Sequence, residues 1–350
     1  MTAYEVLERI AEGLGIPRHM MGLAYDGSPA SSHPQVDDTP RVFADGLPEV
    51  VTLEEVDQIN SLSSLLTSWD FAHGGGIARR AAEAHLRWGA SLLRQRRADG
   101  LASDLYSAVA RLGAVTGFMN FDADNQTRAQ KIFEFSSECA VTAGNVNLQV
   151  KLLSHKARQA IWCGSPTDGL RLLDTALHFR GLTPAERAML HTGRARALAR
   201  MGLRAETVAA VAAADEAFDH IGSEPERPWM TYYDQAQHLG DTGHALFGIA
   251  TSGHAMQEAV QRLRAAVEGH GDAYARSTVQ SAVKLASLLM LSGELAEAAA
   301  LGIRTIRDID GLKSARVAEG LRELVRVSVS RRGAPPVAEL CEAIFETNYA

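Results

Sequence analysis

The sequence predicts an all-α protein in which pairs of helices repeat along the chain. Apolar residues recur at helical spacing, and no alternating apolar and polar run between turn signals indicates a strand. In the second half of the chain, glycines separate helical stretches at intervals of 38, 51 and 40 residues. These glycines are Gly164, Gly202, Gly253 and Gly293. Glycine accepts the left-handed backbone that ends a helix, so each position predicts a turn between two helices.

Composition limits the class of protein. Hydrophobic residues form 46% of the 350 residues, which is enough for a substantial core. The formal net charge of −7 disfavours nucleic-acid binding over the whole surface. The chain has no apolar run of about eighteen residues, as a membrane span requires, and we expect no secretory signal. Its three scattered cysteines suit a reducing compartment, so we expect a cytoplasmic protein. Because no membrane span is predicted, we expect no membrane partner.

Residues 1–26 predict two short helices around a glycine hinge. Val6, Leu7 and Ile10 share one helical face, and the first helix ends at the Gly13–Gly15 segment. Pro17 lies in the first turn of the second helix, where proline is well tolerated. We expect these helices to be the end of a small domain.

Residues 27–50 are predicted to form an extended linker, because four prolines alternate there with serine, aspartate and glycine. Residues 51–350 are predicted to be helical throughout. The first helices of this domain are predicted at 51–66, 77–98, 101–119 and 125–143.

The segment HGGG at 73–76 is similar to the oxyanion loop of some esterases. That loop works with a serine in Gly-x-Ser-x-Gly, a pentapeptide that this chain lacks. We therefore predict a flexible loop here, before a helix that starts near Ile77.

The repeated glycines come with small residues at a fixed distance. Ala157, Ala195 and Ala286 each precede a glycine by seven residues, and small residues allow two helices to pack closely. The longest interval contains an insertion at 222–229. Stacked helix–turn–helix repeats have this organisation, and the pattern resembles tetratricopeptide-like repeats. The sequence therefore predicts a tetratricopeptide-like helical repeat solenoid over 51–350.

Aromatic residues next to the insertion are the candidate ligand site. Trp229, Tyr232 and Tyr233 are spaced i, i+3 and i+4, which places them on one face if the segment is helical. Gln235 and His238 add polar groups nearby. These aromatics either fill the gap that the insertion creates or line a concave wall where a peptide or small molecule binds.

Catalytic and metal-binding patterns are absent from the sequence. His238, His244 and His254 are spaced too irregularly to place three metal ligands on one helix face. No glycine-rich loop follows a predicted strand. The basic segment 77–97 permits a nucleic-acid contact but is more typical of a solvated face. We therefore predict no catalytic activity, no cofactor and no metal.

The opening phrase YEVLERIAEGLGIP, at 4–17, resembles the closing helices of Xre-type (lambda-repressor-like) helix-turn-helix domains. Its continuation HMMGLAYD, the linker and the helical body resemble bacterial regulators with an Xre-type head and a tetratricopeptide-like body. Passages at 84–93, 105–122, 227–247 and 321–324 fit the same family. The DNA-reading helix of the family lies upstream of Tyr4, so residues 1–26 are expected to be a remnant of that domain.

The resemblance implies a transcription regulator that binds DNA in its complete form, with this chain as the sensor and oligomerisation body. DNA binding is not expected of this chain alone. The alternative is a stand-alone helical-repeat protein that binds a peptide or protein partner, without a DNA role.

A homodimer is expected, because operators of such regulators are read by two-fold symmetric dimers. The predicted C-terminal helices at 312–329 and 335–347 carry apolar residues that either cap the repeats or pair with a second chain. These residues are Leu321, Leu324, Val325, Leu340, Ile344 and Phe345.

Overall fold

The computed structural model describes residues 47–309 and 311–347. The predicted helix-turn-helix remnant and the predicted linker up to residue 46 lie outside the described residues. The chain divides into two units after Leu47, and the structure described below is that of the second unit, Pro48–Ala350.

The described part contains fourteen α-helices and two very short strands, which confirms the all-α prediction. In order they are β1 (Val50–Val51), α1 (Leu53–His73), α2 (Gly75–Leu92), β2 (Arg96–Arg97), α3 (Ala102–Asp122), α4 (Gln126–Thr142), α5 (Val146–Trp162), α6 (Pro166–Leu177), α7 (Pro184–Arg200), α8 (Arg204–Phe218), α9 (Gln235–Ala250), α10 (Met256–Gly269), α11 (Ala275–Ser292), α12 (Leu295–Asp308), α13 (Ala315–Ser328) and α14 (Pro335–Phe345).

The two strands correct two predicted boundaries. β1 pairs in parallel with β2, with Val50 opposite Arg96 and Val51 opposite Arg97. The predicted linker therefore ends in a strand at Val50, and the helix predicted to reach residue 98 ends at Leu92. Two residues per strand are too few for an alternating pattern to appear in the sequence.

The helices pack in a regular order. Each odd-numbered helix contacts the even-numbered helix that follows it and also the next odd-numbered helix. The odd-numbered helices therefore form one continuous row, from α1 to α13. The row also returns on itself, because α1 contacts α11.

The four repeated glycines end helices as the sequence predicts. Gly164, Gly202, Gly253 and Gly293 have φ values of +88°, +76°, +84° and +93°. At Gly293, for example, the backbone N–H donates to the Leu289 carbonyl and so closes the last turn of α11. The alanines that precede three of these glycines by seven residues are fully buried between helices.

The HGGG segment is a close-packed junction, so the prediction of a flexible loop is wrong. α1 extends to His73 and α2 begins at Gly75, with only Gly74 between them, at φ +77°. The Gly76 N–H donates to the Lys313 carbonyl, and the Lys313 N–H donates to the His73 carbonyl. A Cβ at Gly75 would lie 2.3 Å from the Met119 carbonyl oxygen, so glycine is required by the approach of three backbone segments.

The C-terminal helices cap the unit internally. Leu321, Leu324, Leu340 and Ile344 are buried in one core with α11 and α12. Val325 packs partly against this core, whereas the Phe345 ring is 56% exposed. Four of the six apolar residues that could pair with a second chain are thus buried within this chain. Homodimer formation stays a prediction. Within 47–309 and 311–347, no helix combines the length and the apolarity that crossing a membrane requires.

Candidate functional site

A cavity of about 800 Å³ lies between the odd-numbered helices. All seven of these helices contribute to its wall, together with part of the connector at 219–234. Sites for small molecules and cofactors have volumes of about 300–1,000 Å³. The cavity therefore has the size of a ligand site.

The wall of this cavity carries more positive than negative charge. Nine cationic side chains line it, against four carboxylates. The cations are Arg111, Lys151, Arg158, Arg196, Arg200, Arg276, Lys284, Arg316 and Arg326, and the carboxylates are Asp70, Asp241, Glu319 and Glu323. The buried Asp122 lies behind this wall. When it is counted as a fifth carboxylate, the cationic side chains still outnumber the carboxylates by four.

Three of these cations form what we call the cationic patch: Lys151, Arg158 and Arg196. Arg158 and Arg196 share a single carboxylate, Asp241, with Arg158 Nη2 at 3.2 Å from Asp241 Oδ1. Burial alone would raise the pKa of Asp241, but the two guanidinium groups hold it well below its usual range. Burial lowers the pKa of Arg196 to about 10, so this side chain stays charged at neutral pH.

Lys151 makes no ion pair with any described carboxylate. Its Nζ donates to the Tyr232 hydroxyl at 3.1 Å and lies 4.3 Å from the centre of the Tyr232 ring. Arg111 also lacks a carboxylate partner within the described ranges and donates to Ser64 Oγ at 2.8 Å. The charge of the cationic patch is therefore only partly neutralised by the protein.

An aromatic wall lies beside the cationic patch, formed by Phe71, Trp229, Tyr232 and Tyr274. The Phe71 ring centre is 5.5 Å from that of Tyr232 and 5.2 Å from that of Tyr274. These separations are typical of interacting aromatic pairs. The cavity therefore combines a flat apolar surface with a cluster of cations.

A buried ion network joins four of the odd-numbered helices at the cavity wall. Arg276 of α11 pairs with Asp70 of α1 at 2.6 Å, and Arg316 Nε of α13 pairs with Asp122 of α3 at 2.7 Å. Burial raises the pKa of Asp70. Burial acts in the same direction on Asp122, but Arg316 and Arg276 outweigh it and lower the pKa of that carboxyl. We call these four side chains the closing network.

Two histidines of the cavity wall are held neutral. Burial, reinforced by Lys151 and Arg158, keeps the pKa of His155 well below its usual value. Burial likewise keeps the pKa of His244 well below its usual value, and the positive charges of Arg196 and Lys284 lower it further. No cluster of three or more His, Cys, Asp or Glu side chains is placed to hold a metal in the part of the chain that the structure describes.

Of the five candidate site residues, two line the cavity. Trp229 and Tyr232 belong to its wall, whereas Tyr233 is only 3% exposed and packs in the core. The Tyr233 hydroxyl lies 3.1 Å from the Thr192 hydroxyl and 3.3 Å from His238 Nδ1. Tyr233 thus has the packing role that the sequence left open.

The expected helical face at 229–233 is wrong. Pro228–Met230 forms a short 3₁₀ helix, and α9 begins only at Gln235. The carboxylate of Asp234 accepts a hydrogen bond from the Gln237 N–H and so fixes the start of α9. The three aromatics therefore lie on a turn, and their directions do not follow helical spacing.

Gln235 and His238 lie at a second, smaller cavity of about 470 Å³. His238 is buried and stacks on Phe218, with ring centres 4.2 Å apart, while Gln235 is exposed. His238 Nε2 lies 2.8 Å from Asp215 Oδ1, and Arg262 Nη2 lies 2.6 Å from Asp215 Oδ2. His238 therefore serves a separate network with Asp215 and Arg262 between α8, α9 and α10, and the exposed Gln235 takes no part in it.

Asp215→Asn is expected to destabilise the protein at neutral pH but not in strong acid. Burial would raise the pKa of Asp215, yet its hydrogen bonds from His238 and Arg262 lower it to about 2. A lowered carboxylate pKa stabilises the folded state above the unfolded pKa of about 4, and this contribution is lost as the pH falls towards 2. Because the side chain is 35% exposed, solvent screening limits the loss to about 1 kcal/mol.

Denaturant unfolding at several pH values measures this effect. Asp219→Asn is the matched control, because Asp219 is exposed at the end of the same helix and makes no ion pair with a described residue. A loss of stability that is equal at neutral and acidic pH would contradict the assigned role of Asp215.

The sequence does not indicate that the cations of the cavity lie together. They are spread from Arg111 to Arg326, on five different helices. One local signal exists, since Lys151 and Arg158 are seven residues apart and therefore share a face of α5. The others come together only through the packing of the odd-numbered helices.

Comparison with known proteins gives no assignment: no family model matches the chain, and no curated protein matches it significantly.

Proposed function

We propose that this chain is the sensor and oligomerisation body of a cytoplasmic bacterial transcription regulator, with a tetratricopeptide-like repeat solenoid as its body. The observation that carries the proposal is the cavity of about 800 Å³, walled by all seven odd-numbered helices. Paired helices with glycine turns at regular intervals support the repeat architecture. DNA binding belongs to the complete protein in this proposal.

The closing network gives a physical basis for sensing. Arg276 and Arg316 line the cavity and also pair with Asp70 and Asp122, so a ligand in the cavity lies against helices from both ends of the row. A ligand that binds one arrangement of these helices better than another shifts the population towards it. An effector would thereby change how the body presents its surfaces to a second subunit.

The second candidate function is a helical-repeat module that binds a protein or peptide partner without a DNA role. Exposed apolar side chains on α1 favour this alternative. Leu65 is 63% exposed and Trp69 is 41% exposed, and their i, i+4 spacing places them on one face.

Chromatin immunoprecipitation separates the two candidates. The chromosomal gene is tagged at its 3′ end, so that whatever precedes residue 1 in the cell is retained. Enrichment at a few discrete promoter sites is expected for a regulator, and its absence favours the partner-binding module.

Purified residues 1–350 provide the complementary measurement. In a gel shift at physiological salt they are expected to show no sequence-selective binding, because the resemblance to helix-turn-helix domains covers no DNA-reading helix. Phosphate contacts alone carry no sequence information.

A further inference from the structure

We propose that the central cavity binds an organic anion that carries an aromatic ring, with the anionic group at the cationic patch and the ring against the aromatic wall. The inference deepens the proposed function, since it names the class of effector, and it rests on taking this cavity as the sensor site. A carboxylate or a phosphate satisfies the chemistry, on a small molecule or at the end of a peptide.

The charge of the site comes from side chains that the protein does not neutralise. Two cations of the patch, Arg158 and Arg196, share one carboxylate, Asp241, and the third, Lys151, has no carboxylate partner among the residues described. Cations in a half-buried site attract an anion more strongly than they do in water, because the effective dielectric constant is lower. The whole chain has a net charge of −7, so the attraction is local to the cavity rather than a property of the surface.

Unpartnered donors point to the same ligand class. Arg196 Nε, Trp229 Nε1 and Gln280 Nε2 are buried nitrogen atoms of cavity-lining residues, and none of them has a hydrogen-bond partner among the residues that the structure describes. All three atoms carry N–H groups that can only donate. Buried donors are normally paired, so these three favour a ligand that offers acceptor oxygens, as a carboxylate or phosphate does.

The aromatic wall specifies the rest of the ligand. Phe71, Tyr232 and Tyr274 are in ring contact, and Trp229 belongs to the same wall. A planar ring beside them gains stacking contacts in addition to the burial of apolar area. An aromatic cation would be repelled by the excess positive charge of the wall. A neutral aromatic compound would leave that charge uncompensated.

Three naphthalene probes with the same ring test the charge requirement: 2-naphthoate, 2-naphthylmethanol and 2-naphthylmethylammonium. Binding to the full chain is measured by calorimetry and by the melting temperature. We expect 2-naphthoate to bind and to raise the melting temperature by a few degrees through mass action, with weaker binding at high salt. The alcohol and the ammonium compound are expected to bind at least about tenfold more weakly.

Lys151→Gln tests the position of the anionic group, because it removes a cation without leaving a carboxylate unpaired. We expect the dissociation constant for 2-naphthoate to rise about tenfold and Lys151→Arg to restore binding. Lys156→Gln is the matched control, since it removes the same charge from the same helix at a residue outside the cavity wall. Circular dichroism verifies that each variant is folded.

Equal binding of the three probes would overturn the proposal, and so would equal effects of Lys151→Gln and Lys156→Gln. Short peptides ending in phenylalanine, with a free or an amidated C-terminus, identify the source of the anion. Tighter binding of a free-acid peptide than of 2-naphthoate assigns a peptide effector, and the reverse order assigns a small aromatic acid. Naphthoate binding without promoter enrichment would support the anion site and reject the regulator, whereas enrichment without binding would reject only the ligand class.

Discussion

Gly75→Ala is expected to lower the free energy of unfolding by about 3 kcal/mol. The added Cβ would lie 2.3 Å from the Met119 carbonyl oxygen and 2.7 Å from its Cα, so it meets the backbone of α3 rather than a movable side chain. Relief requires α2 and α3 to separate, and the Gly75 N–H then loses its hydrogen bond to Asp122 Oδ2, now 3.0 Å. Denaturant unfolding followed by far-ultraviolet circular dichroism measures the loss.

Gly89→Ala is the matched control, in the same helix. Its Cβ would lie 3.5 Å from Val109 Cγ2 and 3.6 Å from Ile59 Cδ1, which are ordinary van der Waals distances. Because alanine is the better helix former, this change is expected to be neutral or to stabilise by up to about 1 kcal/mol. Similar losses for the two variants would mean that the close approach at Gly75 does not matter.

The HGGG junction also supports the wall of the cavity. Asp122 accepts hydrogen bonds from the Gly75 N–H and the Ser314 hydroxyl and pairs with Arg316, whose side chain lines the cavity. The start of α2, the end of α3 and the start of α13 therefore meet at one carboxylate. The junction holds the row of odd-numbered helices closed, which its resemblance to an esterase loop did not indicate.

The helices and their turns could be predicted from the sequence because their signals are local. Helical periodicity and glycine at helix ends both depend on neighbouring residues, and the predicted bounds of α3 and α4 lie within about three residues of those observed. The helix predicted to end at residue 66 is wrong at its end, because α1 continues to His73. The sequence does not indicate the short strands, because Val50 and Arg96 are brought together only by the packing of α1 and α2.

The cavity could not be predicted in the same way, because its wall is made by contacts between distant residues. Asp70 and Arg276 form an ion pair across 206 positions of the chain, and nothing in either local sequence indicates the other. The aromatic site was found in part: Trp229 and Tyr232 line the cavity, but helical spacing wrongly placed Tyr233 beside them. Pro228 and the helix-capping Asp234 were local signals for the turn that separates these side chains.

Asp122→Asn is expected to destabilise the protein by about 3–5 kcal/mol at neutral pH. The Asp122 side chain is fully buried and lies between Arg316 and Arg276, at 2.7 and 3.6 Å. Asparagine preserves the size of the side chain but removes its charge, so two buried guanidinium groups share only Asp70. The NH₂ group of the asparagine also takes the place of a carboxylate oxygen that accepts hydrogen bonds. A donor would then face the N–H groups that surround Asp122. Asp168→Asn is the control, because its pair with Arg171 is exposed and a surface ion pair contributes about 0.5 kcal/mol.

The pH dependence of the same variant distinguishes lost charge from lost packing. The pKa of Asp122 is lowered in the folded protein, so its contribution is present above the unfolded pKa of about 4 and is lost as the pH falls below that value. The difference in unfolding free energy between the parent protein and Asp122→Asn is therefore expected to be largest near neutral pH and to shrink in acid. Denaturant unfolding of both proteins over this pH range measures it. A difference that stays constant with pH would mean that the carboxylate acts by shape alone, and the closing network would then not be held by charge.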